Sequence, residues 1–228
     1  MRSAAAAKCR IVTFHGVGAP QRVLDPGESD YWVPVDRFRH LLGRIASHPS
    51  RERVYITFDD GNISDVLVGA PEIQLRGLTA EFFVLTGRVG LPGSLGAEDI
   101  LALMRMGMRV GSHGVAHRDW SRLSARELDY ELNASKGMLE DICGSPVRSA
   151  SIPFGRYNGA VLSALRKAGY TTVYSSDGGP FYNSPFLRPR TSIRRDATDG
   201  AIERILSGEM PAWRWLRRTI RMAITARF

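Results

Sequence analysis

Residues 53–61 read R-V-Y-I-T-F-D-D-G, a run of β-branched and aromatic residues that stops abruptly at two acids and a glycine. Such a run predicts a buried strand, and the acid-acid-glycine sequence predicts a tight turn where the strand ends. Upstream, the strand-like run Cys9–Phe14 ends in the same way at His15. Downstream, a third short run ends just before His113. Polar side chains therefore follow the predicted strands directly, which makes them candidates for a functional site.

Helices are predicted between these strands. Apolar residues recur with a helical period over Val35–His48 and Leu95–Met106, and the longest predicted helix covers Ser124–Cys143. Alternating strands and helices favour βα units around a parallel sheet or barrel, in which the carboxyl ends of the strands meet on one face. Leu187–Ile193 is predicted to be a further strand, whereas His15–Val33 has the glycine, proline and acids of a long loop.

The composition fits a globular protein. The chain has 228 residues, of which 43% are hydrophobic and 24% charged, and this excludes a disordered or collagen-like protein. No apolar run reaches 18 residues, so no membrane-spanning helix is expected. Cys9 and Cys143 are too few for a disulfide framework and are predicted to be reduced thiols. Because residues 1–8 lack the apolar stretch of a secretory signal, a cytoplasmic location is expected.

The net charge of +8 is unevenly distributed. Residues 187–228 carry ten arginines and four acids, a local charge of +6. We therefore divide the chain into an extension at 1–8, a barrel at 9–210 and a basic amphipathic helix at 211–228. The apolar face of this helix either lies on an anionic membrane or packs against the barrel. No nucleic-acid-binding motif accompanies the charge, so no nucleic-acid partner is expected.

The sharpest chemical signal combines Asp59 and Asp60 with His113 and His117. Two imidazoles four residues apart point the same way if the backbone between them is helical. One carboxylate added to them makes a three-ligand site with an open position, the arrangement of catalytic zinc and related divalent ions. The pattern therefore predicts a metal site that leaves room for water or a substrate oxygen.

Three motifs resemble those of a known family. T-F-D-D-G at 57–61 is similar to the first motif of the polysaccharide deacetylases, the carbohydrate esterase family 4 type with the chitooligosaccharide-deacetylase homology domain. G-S-H-G-V-A-H at 111–117 resembles the second motif with a different spacing, and A-S-I-P-F-G at 150–155 resembles the third. L-T-A-E-F-F-V at 78–84 resembles the strand between the first two. The resemblance covers about residues 9–193.

The resemblance implies a single-domain α/β fold, a distorted (β/α)7-8 barrel, with a divalent metal, Zn²⁺ being the expected ion. It implies that Asp60, His113 and His117 bind the metal and that Asp59 is the general base that activates water. The implied enzyme is a metal-dependent sugar N-deacetylase, a hydrolase of linear amide C–N bonds.

Two positions depart from the family pattern. The family's acid is a late histidine, but no histidine follows His117, and His15, in a segment that resembles the start of a rearranged subgroup, is the substitute. The third motif has Ser151 where the family has an arginine that pairs with the base. Arg190 lies in L-R-P-R-T-S-I, which resembles a strand of the same subgroup, and either supplies the guanidinium or is a surface arginine. Asp177 is either an active-site carboxylate or a turn residue.

These features predict an enzyme that removes N-acetyl groups from an amino sugar in a bacterial surface polysaccharide or a lipid-linked saccharide precursor. The expected location is cytoplasmic, with peripheral contact to the inner membrane. One alternative is a deformylase or deacylase of a lipid-linked sugar. Another is a catalytically inactive saccharide-binding homologue, suggested by the two departures from the family pattern.

Overall fold

The computed structural model describes residues 8–183 and 185–225, and it confirms the predicted alternation of strands and helices. The strands are β1 Arg10–Phe14, β2 Gly16–Val17, β3 Trp32–Val33, β4 Val54–Phe58, β5 Ala80–Val84, β6 Arg109–Ser112, β7 Ser149–Ser151, β8 Thr172–Ser175, β9 Leu187–Pro189 and β10 Thr191–Ser192. The α-helices are α1 Val35–Ser47, α2 Ala70–Gln74, α3 Ala97–Arg105, α4 Ala125–Cys143, α5 Gly159–Lys167, α6 Asp199–Ser207 and α7 Ala212–Thr225.

Eight parallel strands form a nearly closed barrel with the strand order β10-β1-β4-β5-β6-β7-β8-β9. The two edge strands, β9 and β10, follow each other in the chain and are separated only by Arg190. The predicted single strand at 187–193 is therefore wrong in one respect, because its backbone changes partner halfway. Arg190 donates its amide to Ser175 of β8, and Ile193 donates to Thr13 of β1. The predicted single-domain, distorted α/β barrel is confirmed.

The predicted loop at 15–33 is more ordered than expected. It contains the short parallel pair β2 and β3 and a 3-10 turn at Glu28–Tyr31. Of the predicted extension at 1–8, only Lys8 lies within the described residues. Residues 226–228 of the predicted basic helix also lie outside them.

The core has two layers because successive side chains of a strand point to opposite faces. Phe58 and Phe82 stack at 4.6 Å between centroids in the layer that the helices cover. Phe83, the next residue after Phe82, belongs instead to a small cluster with Ile11, Tyr174 and Phe181. This second cluster and several polar side chains fill the barrel interior, which is therefore packed rather than open.

The register of the central strands brings their polar ends together. Phe14 of β1 pairs with Phe58 of β4, which pairs with Phe82 of β5. The ladder continues one residue beyond each strand, since Asp59 donates its amide to the Phe14 carbonyl at 3.0 Å. His113 likewise follows β6 directly. The residues that follow β1, β4 and β6 thus emerge at one edge of the barrel.

Candidate active site

The three predicted metal ligands meet at this edge. The Nε2 atom of His113 lies 3.5 Å from Oδ1 of Asp60, and that of His117 lies 3.7 Å from the same oxygen. One ligand atom from each residue falls within 4.8 Å of the other two. Ligands of a tetrahedral zinc ion with bonds of about 2.0–2.1 Å lie about 3.3 Å apart, so the spacing suits a single small cation.

The surroundings of these side chains also fit a cation. Asp60 Oδ1 is buried and accepts no hydrogen bond from the described residues. His113 places Nδ1 2.8 Å from the carbonyl oxygen of Ser151, a bond that requires a proton on Nδ1 and leaves Nε2 free as a ligand. Burial, with the neighbouring His113 as a smaller cause, lowers the pKa of His117 to about 4, so this imidazole is neutral near pH 7. The residues present therefore fit a divalent metal.

A loop, and not the helical backbone considered above for residues 113–117, brings the two histidines together. Gly114 and His117 both have left-handed backbone conformations, with φ of 85° and 52°. A side chain at Gly114 would collide with Glu131, since its Cβ would lie 2.7 Å from the carboxylate. Glu131, buried on α4, accepts hydrogen bonds from the amides of Val115 and Ala116 and so holds the loop. Sequence reasoning did not identify Glu131.

Asp59 faces a different partner from its neighbour Asp60. The guanidinium of Arg190 donates Nη1 to Oδ1 of Asp59 at 2.8 Å and Nη2 to Oδ2 at 2.7 Å. Asp59 is 3% exposed and Arg190 1% exposed. Burial alone would raise the pKa of Asp59, but the charge and hydrogen bonds of Arg190, helped by His113, hold it well below its usual range. The carboxylate is therefore ionised and fixed in orientation.

Arg190 reaches Asp59 from inside the barrel. It also donates to the hydroxyl of Thr57 at 3.1 Å and lies over the ring of Phe83, with 5.3 Å between Cζ and the ring centroid. It does not line the cleft above the strand ends. The surface alternative for Arg190 is therefore wrong, and because it reaches the cleft only through Asp59, we treat it as a positioning residue.

Ser151 also contacts the ion pair. Its hydroxyl donates to Oδ2 of Asp59 at 3.1 Å and accepts from Nη2 of Arg190 at 2.5 Å. A serine cannot form the ion pair that the family's arginine makes with the base. The small hydroxyl of Ser151 instead leaves room for the guanidinium of Arg190 and hydrogen-bonds to both members of the ion pair.

His15 lies in the same cleft as the three potential metal ligands. The cleft has a volume of about 870 Å³ and is lined by His15, Asp59, Asp60, His113 and His117, among others. The His15 ring packs on Tyr31 at 4.9 Å between centroids, and its buried Nδ1 has no hydrogen-bond partner among the described residues. Tyr31, which sequence reasoning missed, comes from the turn inside the predicted loop.

The rim of the cleft carries an exposed aromatic ring. Phe154 of the third motif is 55% exposed, and its ring lies 4.4 Å from that of His117. Its left-handed φ of 57° and that of Gly155 form the tight turn that lifts the ring over the cleft. The cleft therefore exposes a flat apolar ring beside the three potential metal ligands.

Asp177 does not line this cleft. It accepts hydrogen bonds from the hydroxyls of Tyr157 at 2.8 Å and Ser175 at 2.6 Å, and it pairs with Arg221 of α7. These contacts place it in an adjoining cavity, so the active-site alternative for Asp177 is not supported.

Comparisons with known proteins identify a family and a fold. A family model described as polysaccharide deacetylase matches residues 46–173. A putative polysaccharide deacetylase, YxkH of Bacillus subtilis, is 24% identical over 184 residues, which cover 76% of this chain and 66% of that protein. A chitooligosaccharide deacetylase of Azorhizobium caulinodans is 27% identical over 139 residues, covering 58% and 63% of the two chains. The chain thus spans just under two thirds of the length of these relatives.

The fold also matches a solved structure. The Streptococcus pyogenes deacetylase PplD, solved in complex with acetate, superposes with a TM-score of 0.75 at 22% identity. The match covers 91% of this chain and all of that one. At this identity, the likeness establishes the shared fold.

Proposed function

Because this chain belongs to the polysaccharide deacetylase family, we propose that it is a metal-dependent hydrolase that removes an N-acetyl group from an amino sugar. One observation carries the proposal. A cluster of three potential metal ligands, Asp60, His113 and His117, and an ionised carboxylate, Asp59, line the same cleft. Metal-dependent hydrolysis of an amide uses a Lewis acid that polarises the carbonyl and a group that accepts a proton from water.

Asp60, His113 and His117 would hold the metal, and Zn²⁺ is the proposed ion because two imidazoles and one carboxylate are typical zinc ligands. When bound, such an ion polarises the acyl carbonyl and lowers the pKa of a water molecule. The three protein ligands leave a coordination position free for this chemistry. The Ser151 carbonyl, which orients His113, and Glu131, which holds the loop, would keep the ligands in place.

Asp59 is the proposed general base. Arg190 lowers its pKa, so the carboxylate remains charged over the whole working range and is ready to accept a proton. The two hydrogen bonds from Arg190 fix the plane of the carboxylate, which keeps it in position toward the cleft. A low pKa makes Asp59 a weak base, but this matters less when the pKa of the attacking water is also lowered.

His15 is the proposed acid that protonates the departing amine. It lines the cleft with Asp59, and its Nδ1 has no hydrogen-bond partner among the described residues. Packing of the His15 ring against Tyr31 would hold it in place. Together with Arg190, His15 fills the roles that the two departures from the family motifs leave open. This argues against the inactive saccharide-binding alternative.

We propose that the amino sugar belongs to a bacterial surface polysaccharide or to its lipid-linked precursor, processed in the cytoplasm at the inner membrane face. The names of the relatives support an N-acetylated saccharide as the substrate class. The second candidate is removal of a formyl or another acyl group from a lipid-linked sugar, because the cleft presents the same chemistry to any small amide. The product distinguishes them, since one releases acetate and the other formate.

Metal analysis combined with product analysis tests the proposal. We expect the purified protein to hold one zinc ion and to release acetate from an N-acetylated chitooligosaccharide. Asp59→Asn should keep the ion and lose acetate release, and His15→Asn should keep the ion and release acetate slowly. Asp141→Asn, at an exposed site on α4, is the matched control and should change neither. Acetate release by Asp59→Asn at the rate of the unmodified protein would overturn the assignment of the base.

A further inference from the structure

Helix α7 turns its apolar face away from the barrel. Trp213, Leu216, Ile220 and Ile224 are between 49% and 61% exposed. In a helix of 3.6 residues per turn these four share one side. The half-buried residues Arg218, Met222 and Thr225 lie on the other side and face the barrel. The alternative in which this apolar face packs against the barrel is therefore not supported.

Polar contacts attach α7 to the barrel. Arg218 donates Nη1 to the Gly178 carbonyl at 2.6 Å, and Arg221 pairs with Asp177, which the Tyr157 hydroxyl also contacts. Two of the four arginines of α7 are thus used to hold the helix. The other two, Arg214 and Arg217, are exposed and flank the apolar face.

We propose that this apolar face, with Arg214 and Arg217, docks on the surface of an anionic lipid bilayer. A helix with apolar residues on one side and arginines beside them lies in the interface plane, with its rings among the acyl chains and its cations at the headgroups. The Arg214 guanidinium lies 5.2 Å from the Trp213 ring centroid, so ring and cation present one amphipathic surface. At 14 residues, α7 is about 21 Å long, shorter than a hydrocarbon core of about 30 Å.

The helix therefore lies on the bilayer and does not cross it. Among the described residues, no helix combines the length and the apolar character needed for a membrane span. The charge of α7 also indicates whether lipid or a second copy of the protein covers its apolar face. It has four arginines and no acid, so a second copy packed face to face would bring arginines against arginines. Anionic headgroups supply the missing negative charge.

Docking through α7 would bring the membrane close to the active-site cleft. Arg221 of α7 lines the adjoining cavity, and Phe154, Arg156 and Ser176 line both that cavity and the cleft. A saccharide held on a lipid carrier would then enter the cleft beside the surface that anchors its lipid. This consequence rests on the proposed function, whereas vesicle binding itself does not.

Binding of the full chain to lipid vesicles tests the proposal. We expect the protein to sediment with vesicles of mixed phosphatidylglycerol and phosphatidylcholine but not with phosphatidylcholine alone, and binding should weaken as salt is raised. The emission of Trp213 and Trp215 should shift to the blue on binding, since both rings are exposed in the free protein. No binding to either vesicle, or equal binding to both, would overturn the proposal.

Two pairs of substitutions locate the surface. The double variant Leu216→Glu with Ile220→Glu should bind vesicles at least tenfold more weakly, because two apolar side chains that would insert among the acyl chains are replaced by charged ones. Leu75→Glu with Leu91→Glu is the matched control, at exposed leucines outside α7, and should have no effect. Arg214→Gln with Arg217→Gln should weaken binding about fivefold for each arginine. An equal loss in the control pair would contradict docking through α7.

The same variants separate this proposal from the proposed function. Release of acetate from a soluble chitooligosaccharide should be unchanged in Leu216→Glu with Ile220→Glu, because α7 lies outside the cleft. Vesicle binding without acetate release would leave the docking surface standing and remove the proposed function. Acetate release without vesicle binding would support the proposed function and overturn the docking surface. If light scattering instead detects a dimer that this pair abolishes, a second copy covers the face and lipid docking is wrong.

Discussion

Asp59 and Asp60 are neighbours in sequence and equally buried, at 3% and 2% exposure, yet their surroundings differ completely. Asp59 accepts two hydrogen bonds from Arg190 and one from Ser151. Asp60 has an oxygen with no hydrogen-bond partner among the described residues, and two imidazoles face that oxygen. One carboxylate is thus balanced by a cation that belongs to the protein. The other forms no ion pair with an arginine or lysine among the described residues, so its free oxygen is available to bind a metal.

The left-handed backbone of Asp60 explains how adjacent residues face different partners. Asp59 continues the ladder of β4, with its amide bonded to β1, so its side chain points toward the barrel axis where Arg190 lies. At Asp60 the chain turns with a φ of 79° and sends the carboxylate toward the histidine loop. Asp is one of the few residue types that tolerate this conformation.

The largest difference between the two acids should appear in the stability of the metal-free protein. Asp59→Asn leaves the charge of Arg190 buried without a counterion, and we expect a loss of about 3–5 kcal/mol in the free energy of unfolding. Asp60→Asn removes a buried charge that forms no ion pair with an arginine or lysine among the described residues, and the free energy of unfolding should change by less than about 1 kcal/mol or rise. Urea unfolding after chelator treatment measures both.

Added zinc sharpens the same comparison. An ion that binds only the folded state stabilises it in proportion to the logarithm of its concentration over Kd. We expect zinc to stabilise the unmodified protein and Asp59→Asn but to have little effect on Asp60→Asn. Equal losses in the two metal-free variants would contradict the division of roles between the acids.

The next largest effect concerns the partner of Asp59. Arg190→Lys keeps a positive charge but loses the paired hydrogen bonds, and we expect turnover to fall about ten- to hundredfold because the base is no longer held in position. Arg190 lowers the pKa of Asp59, so weakening the pair lets that pKa rise and the carboxylate protonates at a higher pH. The acid limb of the pH–rate profile should therefore shift to higher pH.

The matched control is Arg188→Lys, two residues earlier on β9. Arg188 lies near the ring of Phe181. It lines a different cavity, which shares no lining residue with the active-site cleft. Its substitution should leave both turnover and the acid limb unchanged. A slower Arg190→Lys enzyme with an unmoved acid limb would show that Arg190 does not set the ionisation of the base.

Much of this architecture could be predicted from local sequence. The strand that ends at Asp59 and the capping box at the start of α4 depend on neighbouring residues. In the structure, Ser124 and Glu127 form this box by exchanging hydrogen bonds. The meeting of Asp60 with His113 and His117 could be predicted because the strand ends of a parallel barrel share one edge. The roles of these residues stay predictions.

The features that local sequence could not supply depend on distant contacts. The loop between His113 and His117 takes its shape from Glu131 on α4, and the spacing of the histidines alone does not reveal this contact. Arg190 meets Asp59 only because β9 and β10 close the barrel, 131 residues farther along the chain. The periodicity of α7 indicates an apolar face but not what covers it, since that depends on which side chains find partners on the barrel.

The smallest expected effect belongs to Ser151, which completes the surroundings of Asp59 without carrying charge. Ser151→Ala removes one hydrogen bond to Asp59 and one from Arg190 but leaves their ion pair. We expect the free energy of unfolding to fall by about 1–2 kcal/mol and turnover to fall a few-fold, with zinc content unchanged.

A second buried serine separates this positioning role from general packing. Ser135 lies 2.6 Å from the hydroxyl of Ser112, between α4 and β6, and has no contact with either acid. Ser135→Ala should lower the free energy of unfolding by about 1 kcal/mol and leave turnover unchanged, as urea unfolding and acetate release would measure. A similar loss of turnover in both variants would mean that Ser151 acts only through the stability of the barrel. A loss in Ser151→Ala alone would instead place the hydroxyl with Arg190 among the groups that hold the base, as distinct from those that hold the metal.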